Sequence, residues 1–154
     1  MSVSTLMSKK IITLSPQNSL RDARELMQLH DFRHIVVIEE GELVGIVSDR
    51  DVLARSTRTA AGLDVPLIPL AEVMTVDPLT CGPLASIAFA ARSMVEAKVS
   101  ALPVVDASGA LVGIVTATDL MNSLWRRASS GGAEKAKEVR PRSQWERTPI
   151  SYLT

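Results

Sequence analysis

The sequence predicts a mixed α/β fold, α+β and sandwich-like, in which two pseudo-symmetric β-α-β-β-α units pack as one module. Three observations predict it. First, Leu43-Val44-Gly45-Ile46-Val47-Ser48-Asp49-Arg50-Asp51-Val52 and Leu111-Val112-Gly113-Ile114-Val115-Thr116-Ala117-Thr118-Asp119-Leu120 are near-copies. Second, a shift of 67 aligns what precedes them, pairing Met7 with Met74, Thr13 with Thr80, Pro16 with Pro83, Ser19 with Ser86, Met27 with Met94 and Val37 with Val104. Third, the shift becomes 68 where residues 39–42 face residues 106–110. Those are turn-type residues between two apolar runs, where a change of length costs least.

Each copy is read in the same order. Residues 11–14 and 79–81 are short apolar runs of edge-strand length. Ser19 and Ser86 then stand as N-caps, the residue type whose hydroxyl satisfies a free N–H at a helix start. Leu20, Ala23, Leu26, Met27 and His30 recur at helical spacing in the first copy, and Ile87, Ala90, Ala91, Met94 and Val95 do so in the second. The β-branched runs 35–38 and 102–105 are strands, each followed by a turn and a second strand at 43–47 and 111–115. Residues 49–55 and 117–125 close the copies as helices. The expected organisation is repeat one at 7–57, a linker at 58–69 containing Gly62, Pro66 and Pro69, repeat two at 70–127 opening on a short helical turn at 70–74, and a tail at 128–154.

Composition narrows the function. In 154 residues, 46% are hydrophobic and 3% aromatic, so the core is aliphatic, and the formal net charge is zero, which argues against a general nucleic-acid binder. The charge is unevenly spread: residues 1–125 hold 10 Lys/Arg against 14 Asp/Glu, and residues 126–154 hold 7 against 3. A mildly acidic body thus carries a basic tail. Cys81 is the sole cysteine and lies in an apolar run, which excludes a disulfide framework and favours a buried thiol over a catalytic one. No apolar stretch approaches the ~20 residues that span a bilayer, and no signal-peptide core opens the chain, so a cytoplasmic location is expected.

The duplicated Ser48-x-x-Asp51 and Thr116-x-x-Asp119 carry the chemistry. A Ser or Thr three residues before an acid is a near-match to a helix capping box. A helix N-terminus is also an anion site, so the two readings are compatible. An acid one turn into such a helix is suited to accept hydrogen bonds from a ribose diol. Positive charge for a phosphate comes from Arg33, His34 and Arg50 of the first copy; their counterparts Ser100, Ala101 and Thr118 are uncharged. With His30 and His34 the only histidines, no metal set forms. No nucleophile elbow, Ser-His-Asp order or phosphate-binding Gly-rich loop is present either, and no enzymatic activity is expected. Trp125, Trp145 and Tyr152 are candidate partner anchors, with Trp125 expected to pack against the body.

These residues resemble the tandem cystathionine-β-synthase-type (CBS) domain pair, or Bateman module. The resemblance rests on Gly45-Ile46-Val47-Ser48-Asp49-Arg50-Asp51 with Arg33-His34-Ile35-Val36-Val37, and on Gly113-Ile114-Val115-Thr116-Ala117-Thr118-Asp119 with Ala101-Leu102-Pro103-Val104-Val105-Asp106. It covers residues 7–125 and not the tail. It implies a disc-like, stand-alone module that dimerises and binds a regulatory adenosine ligand such as AMP, ADP or ATP, with no other cofactor. It further implies that Ser48 and Thr116 face phosphate, that Asp51 and Asp119 hold ribose, and that each cleft joins the Ser/Thr and Asp of one repeat to strand-opening residues of the other. On that basis the expected main cleft comprises Thr116, Asp119, Arg33, His34, Arg50, Thr13 and Leu14. The second comprises Ser48, Asp51, Thr80, Cys81, Gly82, Ser100 and Thr118, with Thr13-Leu14 and Thr80-Cys81-Gly82 near adenine. Expected partners are the nucleotide, a second copy and a regulated protein, with neither nucleic acid nor membrane. The alternative is an interaction module with vestigial clefts that works through its basic tail.

Overall fold

The computed structural model describes residues 1–130, so the tail and its Trp145 and Tyr152 lie outside the described residues. The first half runs β1 (Thr13–Leu14), α1 (Leu20–His30), β2 (His34–Glu39), β3 (Glu42–Ser48) and α2 (Asp49–Arg55). After β4 (Thr57–Thr59), β5 (Gly62–Asp64) and β6 (Thr75–Val76), the second half follows as α3 (Ile87–Ala97), β7 (Ala101–Val105), β8 (Leu111–Thr116) and α4 (Ala117–Ser130). In the second half the counterpart of β1 is a single parallel bridge, Cys81 to Val104.

Local chemistry is repeated with the sequence. The Ser19 and Ser86 hydroxyls accept from Asp22 N–H and Phe89 N–H at 3.1 Å each, so both predicted caps form. α1 and α3 end on Asp31 and Lys98, both in the left-handed region at φ 55° and 56°. The two hairpins carry the extra residue where the register change placed it. β2 and β3 are joined by Glu40-Gly41, both at positive φ, as a two-residue hairpin turn demands. In β7–β8 the Asp106 N–H donates to Ala110 O (2.9 Å), leaving three residues in the loop. The strand register slips at Val37/Ile38 and at Val104/Val105, so the bulge is duplicated too.

Three clusters form the core. Leu20, Met27, Ile35, Val37, Val47 and Val52 pack between α1, α2 and their strands, and Ala90, Met94, Leu102, Val104 and Val115 form the equivalent layer. Alternate strand residues face the other way. There Val36, Ala101 and Ile114 meet, backed by Ile46, and join the halves.

The segment leading into each copy packs on the opposite half. Leu70, fully buried, plugs the first core, while Val3, also fully buried, plugs the second. β6 pairs with β3, and Ser8 bridges Ile114 of β8. The first structural half is therefore residues 11–76, and the second is 77–130 completed by 1–8. Gly45 and Gly113 let these segments approach. A Cβ at Gly45 would stand 2.5 Å from Met74 Sδ, and one at Gly113 would stand 2.6 Å from Met7 Sδ and 3.0 Å from the Ser8 carbonyl oxygen.

Three expectations are corrected. The stretch read as a plain linker contains the β4–β5 hairpin, held by Thr59 Oγ1 donating to Gly62 O (2.8 Å) and Arg21 Nε donating to Val65 O (2.6 Å). Its turn, Ala60-Ala61, carries none of the Gly or Asn that marks hairpins in sequence. α4 runs to Ser130, five residues beyond the expected end, with Ser129 and Ser130 hydroxyls donating back to the Trp125 and Arg126 carbonyls. Trp125 does not pack against the body: it is 67% exposed.

Candidate functional site

The end of β3 and the start of α2 place Ser48, Arg50 and Asp51 at the mouth of a cleft of about 430 Å³. That lies within the ~300–1,000 Å³ range of small-molecule sites. Its far wall comes from the other half: Lys98, Val99, Ser100 and Ala101, where the chain leaves α3 and opens β7. His34 and Ile46 form the floor, and Asp77, Pro78 and Leu79 close one side. The cleft therefore joins the Ser and Asp of one repeat to strand-opening residues of the other.

Both capping boxes are formed. Asp51 Oδ2 accepts from Ser48 N–H (2.7 Å) and Ser48 Oγ (3.0 Å), while Ser48 Oγ accepts from Asp51 N–H (3.2 Å). Thr116 and Asp119 repeat this at 2.8, 2.8 and 3.2 Å. Each hydroxyl has one proton, and here it is committed to the acid. The phosphate-facing role implied for Ser48 and Thr116 thus requires that bond to be exchanged. Oδ1 of each Asp accepts no hydrogen bond among the described residues and is the oxygen open to a ligand hydroxyl.

Cleft charge is mixed: Arg50 and Lys98 against Asp51 and Asp77. His34 adds little, because burial holds its imidazole below the ordinary value. The carboxylates of Asp49 and Asp51 pull the other way without overcoming it, and Arg33 and Arg50 add to the lowering. His34 Nε2 instead lies 3.0 Å from Ser100 Oγ across the boundary between halves.

The structure sorts the expected residues differently from the sequence. Ser48, Asp51 and Ser100 meet as expected. Arg50 and His34, assigned chiefly to the cleft of Thr116 and Asp119, line this one, because Arg50 sits between Ser48 and Asp51 on the same helical turn. Arg33 lies apart, in a shallow groove between α1 and α2 with Arg24, Asp31 and Asp49. Thr116, Asp119 and the exposed Thr118 open α4, and Thr13 and Leu14 form β1; none lines the 430 Å³ cleft. Thr80, Cys81 and Gly82 are displaced from it as well. Cys81 turns into the second core at 5% exposure, where burial pushes its thiol pKa up, and Pro78 and Leu79 take the wall instead. Lys98 and Asp77 were missed in the sequence. Both sit at left-handed backbone positions outside the Ser/Thr-x-x-Asp motif, and Lys98 occupies the helix-ending place that Asp31 takes in the first repeat, which no residue type marked in the sequence.

The fold and cleft define a duplicated module with a ligand-sized site between its halves. The chain belongs to the CBS domain family, which matches residues 3–58 and 70–126, and it carries that domain as a tandem pair. It is 35% identical over 132 residues to the CBS domain-containing protein YhcV of Bacillus subtilis, an overlap of 86% of this chain and 91% of YhcV. It is also 38% identical over 112 residues to inosine-5'-monophosphate dehydrogenase of Korarchaeum cryptofilum, covering 73% of this chain but only 22% of that enzyme. Among solved structures, the CBS domain pair of MJ0100 in complex with 5'-methylthioadenosine and S-adenosyl-L-methionine superposes with TM-score 0.70 at 27% identity, over 82% of this chain and 98% of that one. CBSX2 of Arabidopsis thaliana in complex with AMP superposes with TM-score 0.69 at 29% identity, over 82% and 98%. No helix among the described residues is long and apolar enough to cross a membrane.

Proposed function

We propose that this chain is a non-catalytic regulatory module that binds an adenosine ligand, such as AMP, ADP or ATP, in the cleft headed by Ser48, Arg50 and Asp51. One observation carries the reading: a ligand-sized cavity gathers a carboxylate oxygen, on Asp51, with no donor among the described residues, and two cations, Arg50 and Lys98, from opposite halves. Arg50 and Lys98 are the phosphate contacts, Asp51 Oδ1 takes a ribose hydroxyl, and Pro78 and Leu79 offer apolar surface to the base. The adenosine ligands of the MJ0100 and CBSX2 pairs support this assignment. The counterpart cleft, at Thr116 and Asp119 with Arg33, is the secondary site in this reading.

Because the walls come from different halves, a ligand that bridges them favours one relative placement of the halves over others. Only such differential affinity regulates anything. The signal passes through a homodimer to a regulated protein in the same cytoplasmic compartment.

The test is a thermal-shift panel of AMP, ADP, ATP and S-adenosylmethionine on the full chain, with Arg50→Ala beside Arg33→Ala and Asp119→Ala. Arg50→Ala is expected to weaken the phosphorylated ligand ~10-fold or more, the scale of a charge-assisted contact. Arg33→Ala and Asp119→Ala are expected to leave this site's affinity unchanged. If no adenosine compound stabilises the chain at millimolar concentration, the reading fails.

A further inference from the structure

Three serines of α4, Ser123, Ser129 and Ser130, use their hydroxyls in two different ways. Ser129 and Ser130 donate to carbonyls one turn back, as helical serines ordinarily do. Ser123 does not. It is the one buried polar side chain among the described residues, at 9% exposure. Its Oγ has a single hydrogen-bond partner there, the Met1 thioether sulfur at 3.8 Å, which is a weak acceptor. Ser123 lines a cavity of about 300 Å³ together with Arg126, Arg127 and Ser130, and Thr5 and Leu6 of the leading segment supply the other wall. Steps of three and four residues put 123, 126, 127 and 130 on one face of the helix.

The duplication explains why there is room here. At the repeat offset Ser123 corresponds to Arg55, and Thr5 to Glu72. In the first half Arg55 Nη2 donates to the Glu72 carbonyl oxygen (3.4 Å), so a long side chain spans the place between α2 and the incoming segment. In the second half a serine is too short to span it, and a threonine stands where the acid was. Arg127 in turn replaces Thr59. The second half has thus lost a filling side chain and a carboxylate at this place, and has gained a cation.

The side chains lining this cavity carry one sign of charge. The main cleft sets Arg50 and Lys98 against Asp51 and Asp77, and the groove between α1 and α2 sets Arg24 and Arg33 against Asp31 and Asp49. No carboxylate side chain lines the cavity beside α4. Among the described residues the Arg126 guanidinium has no hydrogen bond or ion pair, and Arg127 Nη2 reaches only Met1 Sδ, at 3.6 Å. The Thr5 and Ser130 hydroxyls spend their protons on the Ser2 and Arg126 carbonyls, at 2.7 and 2.8 Å. The donors open to a ligand are therefore two guanidiniums and the Ser123 hydroxyl. Cations in the last turn of a helix also serve its dipole, but that role asks nothing of a buried hydroxyl beside them. Guanidinium forks match the oxygens of carboxylates and phosphates, and three donors match the three terminal oxygens of a phosphoryl group better than the two of a carboxylate. We propose that this cavity is a further binding site, for a phosphoryl anion (inorganic phosphate or a phosphate monoester) held by Arg126, Arg127 and Ser123. It shares no residue with the adenosine cleft and does not depend on that reading. Its volume stands at the lower end of the ~300–1,000 Å³ range of small-molecule sites, which suits so small a ligand.

The test is a nuclear magnetic resonance titration of the isotope-labelled full chain with inorganic phosphate and, separately, with ribose 5-phosphate, sodium chloride holding the ionic strength constant. Amide signals of Ser123, Arg126 and Arg127 report this cavity, and those of Ser48 and Asp51 report the main cleft, so the two sites are read apart. The expected result is a saturating shift at 123, 126 and 127 with a dissociation constant of ~1 mM or tighter. Arg126→Gln/Arg127→Gln is expected to weaken it at least ~10-fold, the scale of lost charge-assisted contacts, and Ser123→Ala about threefold. Both arginines are exposed, so an unchanged circular dichroism spectrum marks the double variant as folded. Tighter binding of ribose 5-phosphate assigns the site to a monoester, and equal binding assigns it to free phosphate; either supports the proposal. Shifts that never saturate, shifts confined to Ser48 and Asp51, or affinity retained by the double variant overturn it. Malonate bound as tightly as phosphate overturns the choice of a phosphoryl group.

Discussion

His34 Nε2 and Ser100 Oγ, 3.0 Å apart, make the one side-chain hydrogen bond that joins the two structural halves among the described residues. Beside it the halves meet through the apolar contact of Val36, Ala101 and Ile114, and the imidazole makes this hydrogen bond sensitive to pH. Burial depresses the imidazole pKa in the folded chain, so below about pH 6.5 the unfolded chain binds more protons than the folded one. Stability contributed by neutral His34 is therefore present above pH 6.5 and is lost as pH falls through the depressed value. The melting temperature is expected to drop between pH 7.5 and 5, and a His34→Gln variant, measured by the same thermal scan, is expected to drop less.

Ser48 and Ser86 both cap helices, but only Ser48 works within a reciprocal box, because the third helical residue is Asp51 in one case and Phe89 in the other. Ser48→Ala is expected to cost more than Ser86→Ala, within the ~0.5–2 kcal/mol range of lost caps. Urea denaturation of both variants decides it, and equal losses would show that the Asp51 arm contributes nothing.

Gly45 and Gly113 each face a methionine from the segment that crosses over. A methyl group at Gly113 meets the Ser8 backbone oxygen at 3.0 Å in addition to Met7, whereas the three atoms nearest to one at Gly45 all belong to the Met74 side chain. A thioether moves aside more readily than a paired strand. Gly113→Ala is therefore expected to be the more destabilising, with both in the ~1–3 kcal/mol range of overpacked sites. Adding Met74→Ala to Gly45→Ala is expected to recover part of the loss in a calorimetric melt.

Cys81 combines 5% exposure with a thiol pKa raised by burial, and the thiolate is the reactive form. A chromogenic disulfide reagent is expected to leave the native chain unlabelled at pH 8 and to titrate one thiol per chain in guanidinium chloride. Rapid labelling of the native chain would place the thiol at the surface.

Nearly all of the repeated architecture was legible, because local signals agreed with one another. The Ser19 and Ser86 caps, the spacing of Ala23 and Met27, and the extra residue in the second hairpin each restate one unit. Cross-chain relations were not legible. That Leu70 plugs the first core and Val3 the second depends on which half each segment reaches, and an offset of 67 is blind to that exchange. The site suffered for the same reason. Ser48 and Asp51 stand in the motif and were found, whereas Lys98 and Asp77 enter the cleft only through the packing of the halves. Arg50 was assigned chiefly to the other cleft because it was grouped by charge with Arg33, whereas one helical turn ties it to Asp51 in the cleft it lines.

The exchange of leading segments also makes the halves unequal as pieces of polypeptide. Residues 11–76 contain their own plug, Leu70, and their own edge strand, so this stretch finishes its assembly without anything that comes later. Residues 77–130 do not. They lack Val3, Met7 and Ser8, which are made before residues 11–76 and captured only after residues 77–130 follow. A cut after residue 76 would separate a fragment carrying both its plug and its edge from one that closes only when a peptide of residues 1–8 is supplied in trans. A rearranged chain that moves those eight residues to just before Asp77 would turn two interlocked halves into two consecutive ones.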